Sequence, residues 1–355
     1  MAVPKLQAPP YTSASGRGGD SFDIIGCYHT LLANDPELPF PIAAIFALSE
    51  LVSQSKAATT SELMENIRSS SRLLKDSLEN PVPATAGLDL FTRFVVTKSW
   101  DGDDFEAHKA SLASLAREFA THTVPSCREK ICDLVLPFVK DDSVILTHSY
   151  SRVVMQVLKA AALDQRKRIS VYVTESRPNG LGLRTHEQLI ANGIPCTVIL
   201  DSAVAYIMPK VDLVLTGAEG VVESGGFLNA IGTYGIATIA KSFNKPFFAL
   251  AESFKFLRLF PLSQYDLPAS RPILPFPEMT QHHSSEVLRN LRPVNATKNE
   301  EQEDRQKLMD AEMERLNPAI DYTTPDLVTF LFSDVGVLTP SGVGDALLAV
   351  YGGAD

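Results

Sequence analysis

The sequence has little positive charge for its length. Its 32 lysine and arginine residues are outnumbered by 42 aspartate and glutamate residues, so the formal net charge is −10 at pH 7. A protein that grips nucleic acid through the phosphate backbone needs the opposite balance, and so does a polybasic protein that binds membrane surfaces. We therefore expect neither nucleic acid nor membrane as a partner.

Long apolar runs and metal-binding cysteine patterns are also missing. No stretch of about 18 apolar residues occurs, which excludes a membrane-spanning helix on hydropathy grounds. The four cysteines form neither a CxxC pair nor a cluster with histidine, so we expect no structural zinc and no other metal site. Scattered thiols of this kind are typical of a reducing compartment, which predicts a cytoplasmic protein.

The glycine-rich signatures of dinucleotide and triphosphate sites, GxGxxG and GxxxxGK, are absent too. What the sequence does contain is enough apolar side chains for a large core. Hydrophobic residues make up 45% and charged residues 21% of 355 residues, which indicates two or three domains. Residues 1–21 are rich in Pro, Ser and Gly and lack the apolar segment of a signal peptide, so they predict a disordered leader.

Residues 22–140 carry apolar side chains at helical spacing and predict a helical N-terminal domain. Pro41 suits the first turn of one helix, because its missing N–H would be unpaired there. Another helix is expected to begin at Thr59, with Glu62 three residues later in the spacing of a capping box. We predict that this helix ends at Pro81 and Pro83 and that the next helix begins at Gly87.

The pattern changes after the helical domain. Short β-branched runs then alternate with helical stretches, from Ser143–Thr147 to a fifth strand at Phe247–Ala251. Continuous apolar strands joined by helices indicate a parallel sheet covered on both faces. Residues 141–355 are therefore predicted to form an α/β domain with a doubly wound parallel sheet, to which Thr324–Tyr351 adds two helices. An acidic insertion at 294–317 is predicted to be flexible.

Ligands of open α/β sheets bind beyond the carboxyl ends of the strands, so the residues that follow each predicted strand are the candidates for a site. There, glycines allow close approach of the backbone, arginines suit phosphate, and carboxylates such as Asp201 accept hydrogen bonds from sugar hydroxyls. Spacing alone leaves open the alternative that the arginines form structural salt bridges with the carboxylates. The candidates for a phosphate-ligand pocket are Ser149, Tyr150, Arg152, Glu175, Arg177, Gly180, Gly182, Glu219, Asn229, Gly232 and Thr233.

Several long motifs occur in order and resemble a known family. In the α/β half they are THSYSRVV, VTESRPNGLG, GIPCTVILDSAV, LTGAEGVVESGG, KPFFALAESFKFLRLFPLSQYDLP and DVGVLTPSGVGDAL. In the helical half they are DPELPFPIAAIFALSEL and TAGLDLFTRFV. Together they closely resemble the alpha regulatory subunits of eukaryotic translation initiation factor 2B, which share a family with sugar-phosphate isomerases. The resemblance covers nearly the whole chain from Phe22, apart from the acidic insertion.

The resemblance implies a Rossmann-like fold for the α/β domain. It also implies a non-catalytic regulatory subunit of the guanine-nucleotide exchange factor for initiation factor 2. Its homodimer would bridge two assemblies of beta, gamma, delta and epsilon subunits into a decamer. The helical domain would help sense initiation factor 2 phosphorylated on its alpha subunit. Thr59 and Glu62, at an exposed helix start, are candidates for that contact, and the alternative is a simple capping box.

Isomerases that act on methylthioribose 1-phosphate or ribose 1,5-bisphosphate are the enzyme alternative within the resemblance. They carry a cysteine where this chain has Ser149, an aspartate where it has Glu219, and a lysine where it has Ala230. Serine is a poor acid at neutral pH and glutamate is a methylene longer, so these departures argue against turnover. We expect no catalytic residues and no cofactor, with a sugar phosphate or a nucleoside monophosphate as the candidate effector.

Overall fold

A computed structural model describes residues 22–35, 38–78, 80–97, 105–267 and 316–352. The predicted leader at 1–21 lies outside the described residues, and so do positions 294–315 of the predicted acidic insertion. The described chain comprises a helical part, which comes first, and two β-sheets, which follow.

The helical part is built around its second helix, α2. The helices are α1 (Ile24–Asn34), α2 (Phe40–Gln54), α3 (Thr60–Ser77), α4 (Val82–Thr97), α5 (Phe105–Glu118) and α6 (Val124–Val135). A π-helical segment, Phe119–Thr123, joins α5 to α6. Nearly every residue of α2 from Pro41 to Val52 is buried, and α1, α3, α4 and α5 all contact this helix. The predicted helical N-terminal half is confirmed.

Helices α2 and α4 approach each other closely at Gly87. A Cβ atom there would overlap the backbone carbonyl of Pro41, so this crossing requires glycine. α3 ends at Ser77, and α4 already begins at Val82, with Pro83 in its first turn. The prediction of a helix that starts at Gly87 was wrong, because proline fits a first helical turn as well as it ends a preceding helix.

The main sheet confirms the predicted parallel architecture. Within the described residues its strand order is β11-β10-β7-β4-β1-β2-β3, and every neighbouring pair is parallel except β10 and β11. Its strands are β1 (Ser143–His148), β2 (Ile169–Thr174), β3 (Cys196–Ile199), β4 (Leu213–Gly217), β7 (Phe247–Leu250), β10 (Phe330–Ser333) and β11 (Gly336–Leu338).

Helices cover both faces of the main sheet. They are α7 (Arg152–Lys159), α8 (Leu181–Ala191), α9 (Val204–Ile207), α10 (Thr233–Ser242) and α11 (Val343–Gly352). One apolar cluster joins residues of α6, α7 and α8 to one face of the sheet, and a second joins residues of α9, α10 and α11 to the other. α6 contributes Ile131 and Val135 to the first cluster, although it precedes residue 140. The domain boundary at 140 stays a prediction.

A second, four-stranded sheet was missed by the sequence analysis. Its order is β8-β5-β6-β9. The strands are β5 (Gly220–Val222), β6 (Phe227–Ala230), β8 (Phe256–Leu257) and β9 (Ile320–Thr323). Strands this short show no clear alternation of apolar and polar residues. In addition, β9 pairs with β6 although the two strands are distant in sequence.

The last part of the chain also corrects a prediction. Thr324–Tyr351 was expected to contribute two helices, but it holds β10, β11 and the single long helix α11. Leu331 of β10 pairs with Ala249 of β7 in parallel register. An apolar run as short as β10 has no period that separates a strand from a buried helix, so neighbouring strands decide its structure.

The segment that follows β7 joins the helical part to both sheets. Phe254 packs into the helical core, where its ring lies 5.6 Å from that of Phe119. Two residues later, Phe256 pairs with Val221 in the small sheet.

In the ranges that the structure describes, no helix is both long and apolar enough to span a membrane.

The start of α8 gives a test of this packing. A Cβ atom on Gly182 would overlap the backbone carbonyl of Thr174, whereas the Cβ position of Gly235 in α10 has no heavy atom within 4 Å. We expect Gly182→Ala to lower the free energy of unfolding by about 2–3 kcal/mol, because the backbone must shift. Gly235→Ala, the matched control, should leave it unchanged or raise it by about 0.5–1 kcal/mol. Equal midpoints in urea denaturation would contradict this packing.

Candidate functional site

His148 ends β1 and is locked in place by its neighbours. The side chain is buried, its Nδ1 lies 2.5 Å from Thr174 Oγ1, and its Nε2 lies 2.9 Å from the backbone oxygen of Ile231. Since a carbonyl only accepts, Nε2 carries the proton and Nδ1 accepts from the threonine hydroxyl. Burial lowers the pKa of His148, which keeps the ring neutral. This histidine therefore ties β1 to β2 and to the turn after β6.

Ser149 and Glu219 each follow a strand, as the sequence analysis predicted, and the two strands, β1 and β4, are neighbours in the main sheet. β1 and β4 pair in parallel with Thr147 opposite Leu215, so both residues lie at one edge of the sheet. Ser149 has φ +60° and is buried, and its carbonyl accepts a hydrogen bond from Thr185 Oγ1 at 2.7 Å. The region beyond these strand ends, called the crevice below, is the candidate site.

The turn after β2 is held by an acid that lies just after β3. The two carboxylate oxygens of Asp201 accept hydrogen bonds from the backbone N–H groups of Ser176 at 2.9 Å and Arg177 at 2.8 Å. Asp201 therefore holds this turn, where the sequence analysis suggested that it receives sugar hydroxyls. Gly180 precedes α8 at φ +64°. The Arg177 side chain is exposed and forms no salt bridge within the described residues, and Glu175 beside it is half-buried.

Glu219 is tied to the helical part of the molecule. Its Oε2 accepts a hydrogen bond from Asn80 Nδ2 at 2.5 Å, and Asn80 belongs to the connection between α3 and α4. Burial raises the pKa of the Glu219 carboxyl, although the Asn80 hydrogen bond and the charge of Lys255 oppose that shift. The Glu219 carboxyl is thus engaged by the protein's own side chains.

The start of α10 is occupied by an acid that the sequence analysis missed. Asp321 on β9 is buried, and its Oδ2 accepts hydrogen bonds from the backbone N–H groups of Gly232 at 2.8 Å and Tyr234 at 3.0 Å. A helix start with free N–H groups was the predicted place for a phosphate. Here the carboxylate of Asp321 occupies it. Asn229 and Thr233 hydrogen-bond to each other at 3.0 Å.

Asp321 is also a strongly perturbed acid at this edge. Burial raises its pKa to about 7, against the two backbone hydrogen bonds that lower it, and the nearby Glu219 adds to the rise. Its Oδ1 has no hydrogen-bond partner within the described residues. No sequence signal pointed to this residue, because it lies on a short strand beyond the predicted insertion.

Tyr150 and Arg152 lie on a different feature from the rest of the predicted set. Both line a groove between α6 and α7. Arg152 Nη2 lies 3.4 Å from the backbone oxygen of Leu38 in the helical part, and the Arg184 guanidinium stacks on the Tyr150 ring at 4.2 Å. The residues that follow β1 thus diverge, with Ser149 at the crevice and the next side chains at the groove.

Thr59 and Glu62 form the predicted cap of α3. Thr59 Oγ1 accepts a hydrogen bond from the backbone N–H of Glu62 at 3.2 Å. The carboxylate of Glu62 accepts from the N–H of Ala58 at 3.0 Å, one residue before the position that a capping box specifies. The capping interpretation is confirmed in this modified form, and the contact with a phosphoprotein stays a prediction.

A buried ion cluster holds the backbone next to Glu219. The Glu252 carboxylate bonds to Arg128 Nε and to Lys255 Nζ, each at 2.8 Å, and Lys255 also donates to the backbone oxygen of Ala218 at 2.9 Å. Burial alone would raise the pKa of Glu252, but the two cations outweigh it and lower the pKa to about 2. The residue before Glu219 is thereby fixed.

The four cysteines are buried and form no disulfides. All four are free thiols, and burial raises their pKa values, to about 11 for Cys132 and to about 12 for the others. Within the described ranges, no group of three or more His, Cys, Asp or Glu side chains is arranged to hold a metal ion.

Comparison with known proteins assigns the family. The family model described as "Initiation factor 2 subunit family" matches residues 33–340. The chain belongs to the initiation factor 2 subunit family. Within it, the chain is 36% identical to the translation initiation factor eIF2B subunit alpha of Dictyostelium discoideum, over 92% of this chain and 96% of that one. It is 33% identical to the subunit alpha of Caenorhabditis elegans, over 92% and 98%.

The same family includes enzymes. A ribose 1,5-bisphosphate isomerase of Pyrococcus furiosus is 29% identical over 87% of each chain.

The similarity of the chain to solved structures supports the fold and nothing further. The tetrameric eIF2B-beta2-delta2 complex of C. thermophilum gives a TM-score of 0.63 at 17% identity, covering 93% of this chain and 96% of that one. The eIF-2B of Pyrococcus horikoshii OT3 gives 0.60 at 21%, covering 84% and 90%.

The buried Asp321 predicts a pH dependence of stability. Its pKa is about 7 in the folded chain and about 3.9 in an unfolded one, so the folded state holds the proton more tightly. The contribution of this group is therefore complete below about pH 4 and is lost as the pH rises through about 7. Asp321→Asn keeps an acceptor for both N–H groups and removes the titration.

We expect the Asp321→Asn protein to lose less stability than the parent between pH 5 and pH 8, measured by urea denaturation at each pH. Asp266→Asn, which alters an exposed turn outside the crevice, is the control for charge removal. Parallel stability curves for the parent and Asp321→Asn would contradict the assignment.

Proposed function

We propose that this chain acts as a non-catalytic regulatory subunit, of the alpha type, in the guanine-nucleotide exchange factor for translation initiation factor 2. The observation that carries the proposal is the near full-length similarity to two eIF2B alpha subunits at 33–36% identity. The crevice supports it, because Ser149, Glu219 and Ala230 stand where the resemblance implies the isomerases' cysteine, aspartate and lysine. On this proposal the chain is not an enzyme.

The finer parts of the proposal follow from the same family membership. We infer a cytoplasmic homodimer that bridges two assemblies of beta, gamma, delta and epsilon subunits into a decamer. The helical part, including the start of α3 at Thr59 and Glu62, would face phosphorylated initiation factor 2 during the response to stress. The exposure of that helix start is compatible with such a contact.

A sugar phosphate or nucleoside monophosphate as effector is the second proposal for the crevice. The exposed Arg177 supports it, because a guanidinium outside any salt bridge within the described residues is available for a phosphate. The carboxylate of Asp321 at the start of α10 opposes it, since a phosphate bound at that helix start would have to displace it. Protonation of Asp321 would weaken that opposition.

Assembly tests the main proposal. We expect the full chain, mixed with purified beta, gamma, delta and epsilon subunits, to produce a species near the mass of a decamer in analytical ultracentrifugation. The chain alone and the four-subunit mixture alone are the controls, and each should sediment as a smaller species. A four-subunit assembly whose sedimentation is unchanged by the chain would contradict the proposal.

A further inference from the structure

Helix α8 has an Asn-Gly pair at each of its ends. Asn179-Gly180 comes just before its first residue and Asn192-Gly193 just after its last, and the sequence contains these two Asn-Gly pairs. Asparagine before glycine is chemically reactive, because glycine has no side chain that hinders the approach of its backbone nitrogen to the asparagine side chain. Two identical pairs on one helix allow their surroundings to be compared.

The reaction of such a pair is deamidation, and its only co-reactant is water. The backbone nitrogen of the glycine loses its proton and attacks Cγ of the asparagine, and the side-chain nitrogen leaves as ammonia. The product is a five-membered succinimide ring, which water opens at either of its two carbonyls. One opening gives aspartate, and the other gives isoaspartate, whose backbone runs through Cγ. In both cases a carboxylate replaces an amide, and no atom is oxidised or reduced.

The fold does not engage the Asn179 side chain. This side chain is exposed and forms no hydrogen bond with any of the described residues. Beside it, Gly180 has φ +64°, and no heavy atom lies within 4 Å of the position that a Cβ would take. The N–H of Gly180 donates to the backbone oxygen of Ser176 at 2.8 Å. Ring closure at Asn179 therefore requires this one hydrogen bond to open.

The Asn192 side chain, by contrast, is part of the helix end. It is half-buried, and its Nδ2 donates to the backbone oxygen of Gln188 at 2.6 Å. The N–H of Gly193 also donates, to the backbone oxygen of Ile190 at 2.9 Å. Ring closure at Asn192 therefore requires two hydrogen bonds to open. The last carbonyls of a helix have no partner within the helix, so the bond from Asn192 satisfies a group that needs a donor.

A new carboxylate would also have opposite effects at the two ends of α8. Asn179 precedes the first turn, where the positive end of the helix dipole favours a negative charge. Asn192 is the C-cap, where the negative end disfavours one. A carboxylate at position 192 would also be unable to donate to the oxygen of Gln188. The helix therefore accommodates an acid at position 179 and requires the amide at position 192.

We propose that Asn179 is a site of spontaneous deamidation that adds a negative charge to the turn after β2, whereas Asn192 stays an amide. The same turn carries Arg177, which is exposed and forms no salt bridge within the described residues. A carboxylate two residues away supplies this guanidinium with a counter-charge. The modification thus lowers the positive charge that the turn presents at the crevice, and it is independent of the assembly proposed above.

Peptide mapping by mass spectrometry of the aged chain tests the proposal. The full chain is held at pH 8 for several days, folded or in urea, and the conversion of each asparagine to aspartate and isoaspartate is measured. In the folded chain we expect Asn179 to convert roughly threefold faster than Asn192 or more, relative to their rates in urea, because one additional hydrogen bond must open at Asn192. Asn179→Gln should abolish the signal at that position, since glutamine would have to form a larger ring.

Two matched variants test the effect of the charge. Asn179→Asp and Asn192→Asp make the same chemical change at opposite ends of α8. In urea denaturation at pH 7, the first should raise the midpoint, by an amount that shrinks as salt is added, and the second should lower it. The rise should be smaller in a chain that also carries Arg177→Gln, because the guanidinium supplies part of it.

Several results would overturn the proposal. One is a folded chain in which Asn179 stays intact for as long as the chain in urea takes to convert. Another is equal normalised rates at Asn179 and Asn192. A midpoint that falls equally in Asn179→Asp and Asn192→Asp would contradict the favourable placement of the charge. A rise that is unchanged by Arg177→Gln would contradict the role of Arg177 as its partner.

Discussion

The two ion pairs of the Glu252 carboxylate are the interaction on which the rest of this molecule depends. The carboxylate is almost fully buried, and it bonds at once to Arg128 of α6 and to Lys255 of the segment that leads into the small sheet. Breaking a buried ion pair by removing one partner costs about 3–5 kcal/mol, because the remaining charge stays uncompensated. Here the two cations belong to different parts of the fold, so one acid fixes the relation between them.

Around this ion cluster, the edge of the main sheet is held by the chain's own polar groups. Asn80 binds Glu219, Asp321 binds the start of α10, and Asp201 binds the turn after β2. Each is a place where an open α/β sheet ordinarily receives its ligand. A sheet edge satisfied in this way suits a subunit whose task is to hold a shape and to contact other subunits.

The sequence predicted the elements with clear periods and the residues next to them. The helical half, the parallel strands β1 to β4 and the cap at Thr59 were readable, because apolar spacing and capping residues are local signals. The small sheet was not readable, since β5, β6, β8 and β9 are each too short to show a period. β10 was mistaken for part of a helix for the same reason.

The residues of the candidate site also differ in whether local sequence signals could predict them. Residues that directly follow strands, such as Ser149 and Glu219, were placed at one edge by topology alone. Their partners were not predictable, because Asn80 and Asp321 arrive from a helix connection and from a strand distant in sequence. The division between the crevice and the α6–α7 groove depends on the local direction of the chain after β1, where Ser149 takes a positive φ.

The isomerase reaction is the most direct test of the claim that this sheet edge no longer supports catalysis. Phosphorus NMR of the full chain with ribose 1,5-bisphosphate reports conversion of the sugar phosphate over hours. We predict spectra that match those of the protein-free substrate. Conversion that appears with the parent chain and disappears in Glu219→Ala would contradict the claim and return the crevice to an active site.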